Sequence, residues 1–318
     1  MHRVVVAVVL VVVSFLVVPS AKGFAQNSPT PISDCEDITQ RGNYVLTNDL
    51  MLTASGIGYG EGGDCLVISS SHVSINLDGW TMYVVCPEFF CPPVFGPIGG
   101  TGIHIMRGAD HVSISNGGVQ GFVYGIVGEA NYISATNLSL DAVVGISLRN
   151  VSHEAFTNID YRGADERYHG RNGPLLSLTG GGYNTFTNVS GLFLGSDLAA
   201  PDGIDIVNSN HNLISGVNMD VTFGSCRGAA VLLTNSSSFN SITNSTLFVD
   251  CGSGIQIDDG SVHNTVQGNN VTIASTPPQL FAMLDQNPNC GSDVWIDNSF
   301  SNLFASGQIS ASPANCID

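Results

Sequence analysis

The residues from Tyr183 to Asn188 read YNTFTN, and four looser copies of this segment follow it along the chain. The copies are HNLISG from His211, FNSITN from Phe239, HNTVQG from His263 and SNLFAS from Ser301. In every copy an asparagine stands two places before an apolar residue. These asparagines are Asn184, Asn212, Asn240, Asn264 and Asn302. One position of the repeat is therefore always an amide.

A second repeated position is a glycine followed by alternating apolar residues. It occurs as GIHI from Gly102, GISL from Gly145, GIDI from Gly203 and GIQI from Gly254. Self-similarity with a spacing of about 20–30 residues is typical of a solenoid. Short alternating strands with glycine and asparagine turns indicate coils of β-structure rather than helices. The sequence therefore predicts an all-β, single-domain parallel β-helix of about nine coils.

The repeated asparagines have a physical reason in such a fold. Stacked coils lie about 4.8 Å apart, so each inward residue touches the equivalent residue of the next coil. Asparagines at one turn can then hydrogen-bond to one another along the stack. We predict an asparagine ladder there.

The repeats resemble the right-handed parallel β-helix repeat proteins of the pectin-lyase-like superfamily, over nearly all of the chain after its first 25 residues. The segments CEDITQRGNYVLTNDL from Cys35 and CLVISSSHVSINLDGWTM from Cys65 resemble the first coils of secreted members. The resemblance implies right-handed coils. It also implies a function among those the group covers, which range from polysaccharide lyases and hydrolases to adhesins.

Residues 1–25 are typical of a secretory signal, with one early arginine, an apolar run and small residues before a cleavage point after Ala25. The apolar run is too short for a membrane span. We assign residues 26–318 to the β-helix, with an N-terminal cap at about 32–64 and a C-terminal closure at about 285–318. The expected protein is secreted, extracellular or periplasmic, and monomeric.

Charge and cysteine content agree with export. Without Arg3 and Lys22 the chain keeps seven basic residues against 26 acidic ones, a net charge of −19 that argues against nucleic acid as a partner. The eight cysteines predict disulfides. Proximity suggests the pairs Cys35–Cys65, Cys86–Cys91, Cys226–Cys251 and Cys290–Cys316, although eight cysteines allow about 105 connectivities.

The alternation of the strands also predicts which side chains face outward. In GIDI, Ile204 and Ile206 face the core, so Asp205 faces solvent. The same register points outward His104, Ser147, Ser177, Asp205, Gln256 and Trp295. The resemblance implies that an active cleft runs along the outer face of one sheet, walled by loops that interrupt the coils.

Two adjacent interruptions mark the expected site. They are YRGADERYHGRNG at 161–173 and GSDLAAPD at 195–202, which enter strands of neighbouring coils. We expect both loops to lie over one patch. The predicted catalytic residues are Arg167, Tyr168, His169 and Asp205, and the predicted substrate-binding residues are Arg149, Arg162, Arg171 and Trp295.

The arginines favour a polysaccharide lyase. Their planar guanidinium groups would hold the carboxylate of a polyuronide while Tyr168, His169 or an arginine removes the neighbouring proton. The negative charge of the whole protein would repel a polyanion, so the mechanism needs the local arginines or a Ca²⁺ held by Asp202 and Asp205. A lysine base is excluded because the chain after the signal has no lysine.

A glycoside hydrolase is the second enzymatic interpretation. It would use paired carboxylates, for which Asp197, Asp202 and Asp205 are candidates. The segment PDGIDI also resembles part of the polygalacturonase signature. Ala200 and Pro201 replace the Asn-Thr of that signature, and its later GDD, GHG and RIK elements are missing.

The alternative to both enzymes is a non-catalytic cell-surface or adhesion rod. In that case the loops are recognition elements. A separate interpretation of the charged loop is a solvated cluster of mutually paired side chains without a functional role. His211 and His263 fill a repeat position, so turn packing is their expected role.

Overall fold

The computed structural model describes residues 28–53, 63–85, 99–163, 173–194, 202–222, 228–250, 252–274, 281–302, 310–312 and 317. Within these ranges the chain consists of 26 strands and one short 3₁₀ helix, Pro288–Cys290. The strands are β1 Thr30–Ile32, β2 Glu36–Ile38, β3 Gly42–Leu46, β4 Leu50–Thr53, β5 Leu66–Ile68, β6 Val73–Asn76, β7 Thr81–Val85, β8 Gly99–Ile105, β9 Val112–Gly128, β10 Ser134–Ser152, β11 Ala155–Gly163, β12 Leu176–Gly182, β13 Thr185–Leu194, β14 Ile204–Val207, β15 Leu213–Ser215, β16 Asn218–Thr222, β17 Ala229–Thr234, β18 Ser241–Thr243, β19 Thr246–Val249, β20 Ser253–Ile257, β21 Thr265–Gln267, β22 Asn270–Ile273, β23 Phe281–Asp285, β24 Val294–Ile296, β25 Ser299–Asn302 and β26 Ser310–Ser312. None of the described residues forms a helix long and apolar enough to cross a membrane.

The strands form three parallel ladders along one axis, which we call sheets A, B and C. Sheet A contains β2, β5, β8, the ends of β9 and β10, β12, β14, β17, β20, β23 and β26. Sheet B contains β1, β3, β6, the starts of β9, β10, β11 and β13, β15, β18, β21 and β24. Sheet C contains β4, β7, the middle of β9 and β10, the ends of β11 and β13, β16, β19, β22 and β25.

Each coil runs from sheet A to sheet B to sheet C and then enters sheet A of the next coil. The prediction of a parallel β-helix is confirmed. A right-handed coil is the hand that the rule for connections between parallel strands predicts. The described strands complete ten coils, against about nine expected.

The core is a set of inward rows that stack along the axis. In sheet A, Ile204 pairs with Leu176 on one side and Val231 on the other, and all three are fully buried. The glycine column lies at the entrance to this row. A Cβ on Gly203 would lie 2.6 Å from the carbonyl oxygen of Ala230, so the close approach of the coils requires glycine. Burial of these aliphatic rows is the main stabilising contribution.

The predicted asparagine ladder is confirmed, and it lies buried between sheets A and B. Its side-chain amides donate from coil to coil: Asn184 to Asn212 at 2.9 Å, Asn212 to Asn240 at 2.8 Å and Asn240 to Asn264 at 3.2 Å. The prediction that Asn302 is the fifth member of the ladder is wrong. It lies in β25 opposite Ile273, and Asp293 takes the ladder position instead, accepting from Asn264 at 3.1 Å.

A column of aromatic rings covers the outside of the same corner. Its members are His72, His111, Tyr132, His153, Tyr183, His211, Phe239 and His263, whose ring centroids are 4.6–5.6 Å apart. All eight residues have left-handed backbones, with φ between 58° and 68°. That conformation costs about 1–2 kcal/mol per residue, and ring contacts of about 0.5–1.5 kcal/mol offset much of it. The packing expected for His211 and His263 is therefore confirmed.

Cysteine pairing is described at two places. Cys35 and Cys65 form a disulfide between adjacent coils, as predicted, with Cα atoms 4.5 Å apart. Cys290 is also disulfide-bonded. Its predicted partner Cys316, and the predicted pairs Cys86–Cys91 and Cys226–Cys251, lie outside the described residues.

The buried ladder begins at an acid, Glu154, which pairs in register with Asn184. One carboxyl oxygen of Glu154 accepts the Ile133 backbone N–H, while Oε1 is buried without a hydrogen-bond partner. Burial, with a smaller contribution from Asp110, raises the pKa of Glu154 from 4.5 to about 8. The folded state therefore favours the protonated acid. The contribution of protonated Glu154 to the free energy of unfolding is complete below pH 4.5. It is lost as the pH rises through 8.

We therefore expect Glu154→Gln to remove a large part of the pH dependence of stability. Between pH 5 and pH 8 the free energy of unfolding of the wild type should fall by about 3 kcal/mol more than that of the variant. Denaturant unfolding at both pH values measures the difference. The exposed Glu36→Gln variant should behave like the wild type, and equal pH dependence in all three proteins would contradict the assignment.

Candidate functional site

The outward face of sheet A carries a row of side chains, one per coil. Paired in register, these are Val67, His104, Val127, Ser147, Ser177, Asp205, Leu232, Gln256 and Leu284. Five of the six residues predicted to face outward are therefore confirmed. They are His104, Ser147, Ser177, Asp205 and Gln256.

The prediction that Trp295, the sixth residue, faces outward is wrong. Trp295 lies in sheet B opposite the core residue Val266 and is only 4% exposed. Its indole N–H donates to the Asp285 carboxylate at 3.1 Å. In the segment VWI the flanking Val294 and Ile296 point outward instead, so the apolar pattern does not reveal the inward position. A buried ring has no free face on which a sugar could stack.

Three carboxylates gather on sheet A around the middle of this row. Asp202 stands at the entrance to β14, where its Oδ1 accepts the Ala229 backbone N–H at 2.8 Å. Asp205 lies between Ser177 and Leu232, and its Oδ1 is buried without a hydrogen-bond partner. Asp258 follows β20 two coils further on. We call Asp202, Asp205 and Asp258 the sheet A acid cluster.

Burial and mutual repulsion perturb this cluster. The pKa of Asp202 rises from 3.8 to about 6, first because the group is buried and then because Asp205 and Asp258 are close. The pKa of Asp205 is also raised, by burial and then by Asp258. Carboxylates that repel one another cannot all ionise at their ordinary pKa. The cluster therefore holds a proton at mildly acidic pH, when ordinary surface aspartates have lost theirs.

Arg149 and Arg162 are both exposed, but they lie on different faces. Arg149 is on sheet A, paired with Thr179 two coils before the strand of Asp205. Arg162 is on sheet C, between Asp141 and Leu192. The prediction that Arg162 joins Asp205 at one patch is wrong. The strand β11 continues to Gly163, so residues 161–163 belong to sheet C rather than to the loop.

The remaining predicted residues lie outside the described part of the chain. These are Arg167, Tyr168, His169 and Arg171 of the first loop and Asp197 of the second. The strands that follow the two loops, β12 and β14, are neighbours in sheet A, as expected. In the described ranges, no group of three or more histidine, cysteine or acidic side chains could hold a metal ion. The Ca²⁺ predicted at Asp202 and Asp205 stays a prediction.

Sequence reasoning missed two features of sheet A. One is the membership of Asp258 in the acid cluster, where its Oδ1 accepts from Gln256 Nε2 at 2.8 Å. The other is the pair of His104 and Asp64, joined at 2.6 Å. Asp64 also accepts the Thr101 backbone N–H at 3.0 Å, as Asp202 does for Ala229. The segments DCLVI from Asp64 and DGIDI from Asp202 both place an aspartate directly before a strand of sheet A. That similarity is the sequence signal that could have revealed the shared role of Asp64 and Asp202.

Comparisons with known proteins bear on the fold. No protein-family model and no curated protein matches the chain. Among solved structures, it is similar to DFA-IIIase from Arthrobacter chlorophenolicus A6 in complex with DFA-III, with a TM-score of 0.56 and 14% identity. The match covers 85% of this chain and 64% of that one. The two share the fold.

Two tailspike proteins also match, at lower similarity. The Dettilon tailspike protein (gp208) is 12% identical with a TM-score of 0.36, over 83% of this chain and 62% of its own. The enzymatically active domain of tailspike protein 2 from bacteriophage CBA120 is 12% identical with a TM-score of 0.27. That match covers 87% of this chain and 42% of the tailspike chain. The chain thus spans less than two thirds of the length of each of these three structures.

Proposed function

We propose that this protein is secreted, binds an extracellular polysaccharide along the outer face of sheet A and cleaves it at the acid cluster. The observation that carries the proposal is the pair Asp202 and Asp205. Both carboxylates lie on one sheet face with raised pKa values, and one carboxyl oxygen of Asp205 has no partner. Perturbed acids on an outward row of a rigid sheet are typical of catalytic sites.

The chemistry that fits these residues is glycoside hydrolysis. Asp202, protonated below pH 6, would donate its proton to the glycosidic oxygen as the C–O bond breaks. Asp205 would accept a proton from the water whose oxygen joins the anomeric carbon. The products are two shorter sugars, one with a new reducing end. Donation by Asp202 implies that cleavage falls as the pH rises above about 6.

A lyase remains the second candidate, and Arg149 is the observation that favours it. This exposed arginine lies on the same face as Asp205, where it could hold the carboxylate of a uronic acid. The base of that mechanism would come from Tyr168, His169 or an arginine of the loop at 161–173. A Ca²⁺ at Asp202 and Asp205 would assist it by neutralising the substrate.

Two further observations support an exported enzyme. The disulfide between Cys35 and Cys65 is expected in an oxidising compartment such as the extracellular space. The fold is shared with DFA-IIIase, a protein solved with DFA-III bound, so a β-helix of this kind can hold a ligand. Cleavage itself would depend on the carboxylates Asp202 and Asp205.

The test is product release from a panel of neutral and acidic polysaccharides, with DFA-III included. We expect the purified protein to release reducing ends from at least one substrate at pH 5 and less at pH 8. A product absorbing in the ultraviolet, from a new C=C bond, would indicate a lyase, and its absence with new reducing ends a hydrolase. Parallel reactions with Ca²⁺ and with chelator test the metal. No release from any substrate would contradict both enzymes and leave a non-catalytic rod.

A further inference from the structure

Sheet C carries two clefts that the proposed function does not use. One has a volume of about 430 Å³ and the other about 420 Å³, both within the usual range for ligand pockets. They adjoin at Arg162, which lines both. The acid cluster, by contrast, lies on sheet A. A ligand in these clefts would therefore occupy a different face of the solenoid.

The clefts follow from the residues of sheet C. In the first cleft the outward position Gly118, which pairs with Thr81 and Ser139, leaves the surface low beside the taller side chains of the next coils. A Cβ on Gly117 would lie 2.6 Å from the carbonyl oxygen of Trp80, so the packing of the coils requires that glycine. Together the two clefts form one surface that we call the trough. It spans the neighbouring strands β7, β9, β10, β11, β13 and β16. With about 4.8 Å between strands, its length is about 24 Å, which suits an extended chain.

The lining combines donors and acceptors. Arg162 offers five N–H donors in one plane, and no ion pair of Arg162 is found within the described ranges. Carboxyl and amide groups line the clefts with it: Asp160 on its own strand, Asp141 one coil before, Gln120 two coils before, and Asn218 and Asp220 two coils after. Sugar hydroxyl groups donate and accept, so they can pair with both kinds of group. Because the carboxylates outnumber the one arginine, the face suits a neutral glycan better than a polyanion.

Apolar surface for the sugar rings lies at the sides of the trough. Leu192 lines the second cleft and is 41% exposed. Trp80 stands between two residues that line the first cleft, Gly79 and Thr81, and is 39% exposed. Exposed aromatic rings with a polar edge are favoured where one side of a ligand is apolar and the other is hydrated. Neither side chain belongs to the buried core.

We infer that the trough on sheet C, centred on Arg162, is a second glycan-binding site that holds a neutral oligosaccharide segment without cleaving it. The inference rests on the proposed function for its ligand class, since both sites would serve polysaccharide. The two sites are separate because their side chains point from different sheets. Sheet C would hold the polymer while sheet A acts on it.

The test is affinity electrophoresis through gels that contain a fructan, a xylan, a galactomannan, a β-glucan or polygalacturonate. Asp205→Asn serves as the parent protein so that cleavage does not intervene. We expect the parent to be retarded by at least one neutral polymer. Adding Arg162→Ala or Trp80→Ala should weaken that retardation about tenfold, as expected for loss of about 1.4 kcal/mol. The matched Arg149→Ala change, on sheet A, should weaken it less.

Several results would overturn the inference. They are retardation that Arg162→Ala and Trp80→Ala both leave unchanged, stronger retardation by polygalacturonate than by every neutral polymer, and no retardation at all. The proposed function fails by a different readout, namely no product release by the wild type. Retardation lost with Arg149→Ala alone would assign binding to sheet A and remove the second site.

Discussion

Replacing Asp205 by asparagine should reduce polysaccharide cleavage about 100- to 10,000-fold, the usual contribution of a general acid or base. The change keeps the shape of the side chain and removes its ability to accept a proton. The fold should persist, because Asp205 is an outward residue between Ser177 and Leu232 rather than part of the core. Loss of its negative charge also relieves repulsion within the acid cluster.

Cleavage rates of the purified variant and wild type on the best substrate of the panel measure this effect. The matched control is Asp37→Asn. Asp37 also lies on sheet A, in the first coil, paired with Val67 and far from the cluster. It should retain wild-type activity. If Asp205→Asn cleaves as fast as Asp37→Asn, the acid cluster is not the catalytic site.

The second large effect is on stability. Asn240→Ala should lower the free energy of unfolding by about 4 kcal/mol. Asn240 Oδ1 accepts from the backbone N–H and the side-chain amide of Asn212, at 2.9 and 2.8 Å. Its own amide donates to Asn264 Oδ1 and to the Ser209 carbonyl oxygen, at 3.2 and 3.1 Å. All of these groups are buried, and each buried group left unsatisfied costs about 1–3 kcal/mol.

An exposed asparagine ladder at the corner between sheets B and C provides the control. There Asn158 donates to Asn137 at 3.0 Å and accepts from Asn188 at 3.4 Å. Its φ of 56° is left-handed, so Asn158→Gly removes the side chain without backbone strain. Water replaces the lost hydrogen bonds at this surface, and a loss of about 1 kcal/mol or less is expected. Denaturant unfolding compares the two variants, and equal losses would contradict the argument from burial.

The repeat pattern predicted much of the fold. Alternating residues with period two, interrupted by glycine and asparagine, already imply which side chains enter the core. The ladder of Asn184, Asn212, Asn240 and Asn264 followed from one position that is asparagine in each of these repeat copies. The outward direction of Asp205 followed from Ile204 and Ile206 on either side of it. These features are local, so they can be read from a single segment.

The predictions that failed depended on where a strand ends or on its register. Trp295 lies between two apolar residues, and only its pairing with Val266 decides that it faces inward. Arg162 belongs to sheet C because β11 extends to Gly163, although the charged segment from Tyr161 looks like one loop. Asn302 lies at the end of β25 in sheet C, whereas the ladder runs along the corner before sheet B, where Asp293 directly precedes β24.

The sequence by itself thus determined the coiled architecture, the buried ladder and the outward carboxylate Asp205, and it suggested the Cys35–Cys65 pair. Only the tertiary structure decided which of the three faces each charged side chain occupies. It brought Asp258 to Asp202 and Asp205, and it separated Arg162 from them. The physical reason is that strand alternation specifies inward or outward within one coil. Hydrogen-bond pairing between coils determines which outward residues become neighbours.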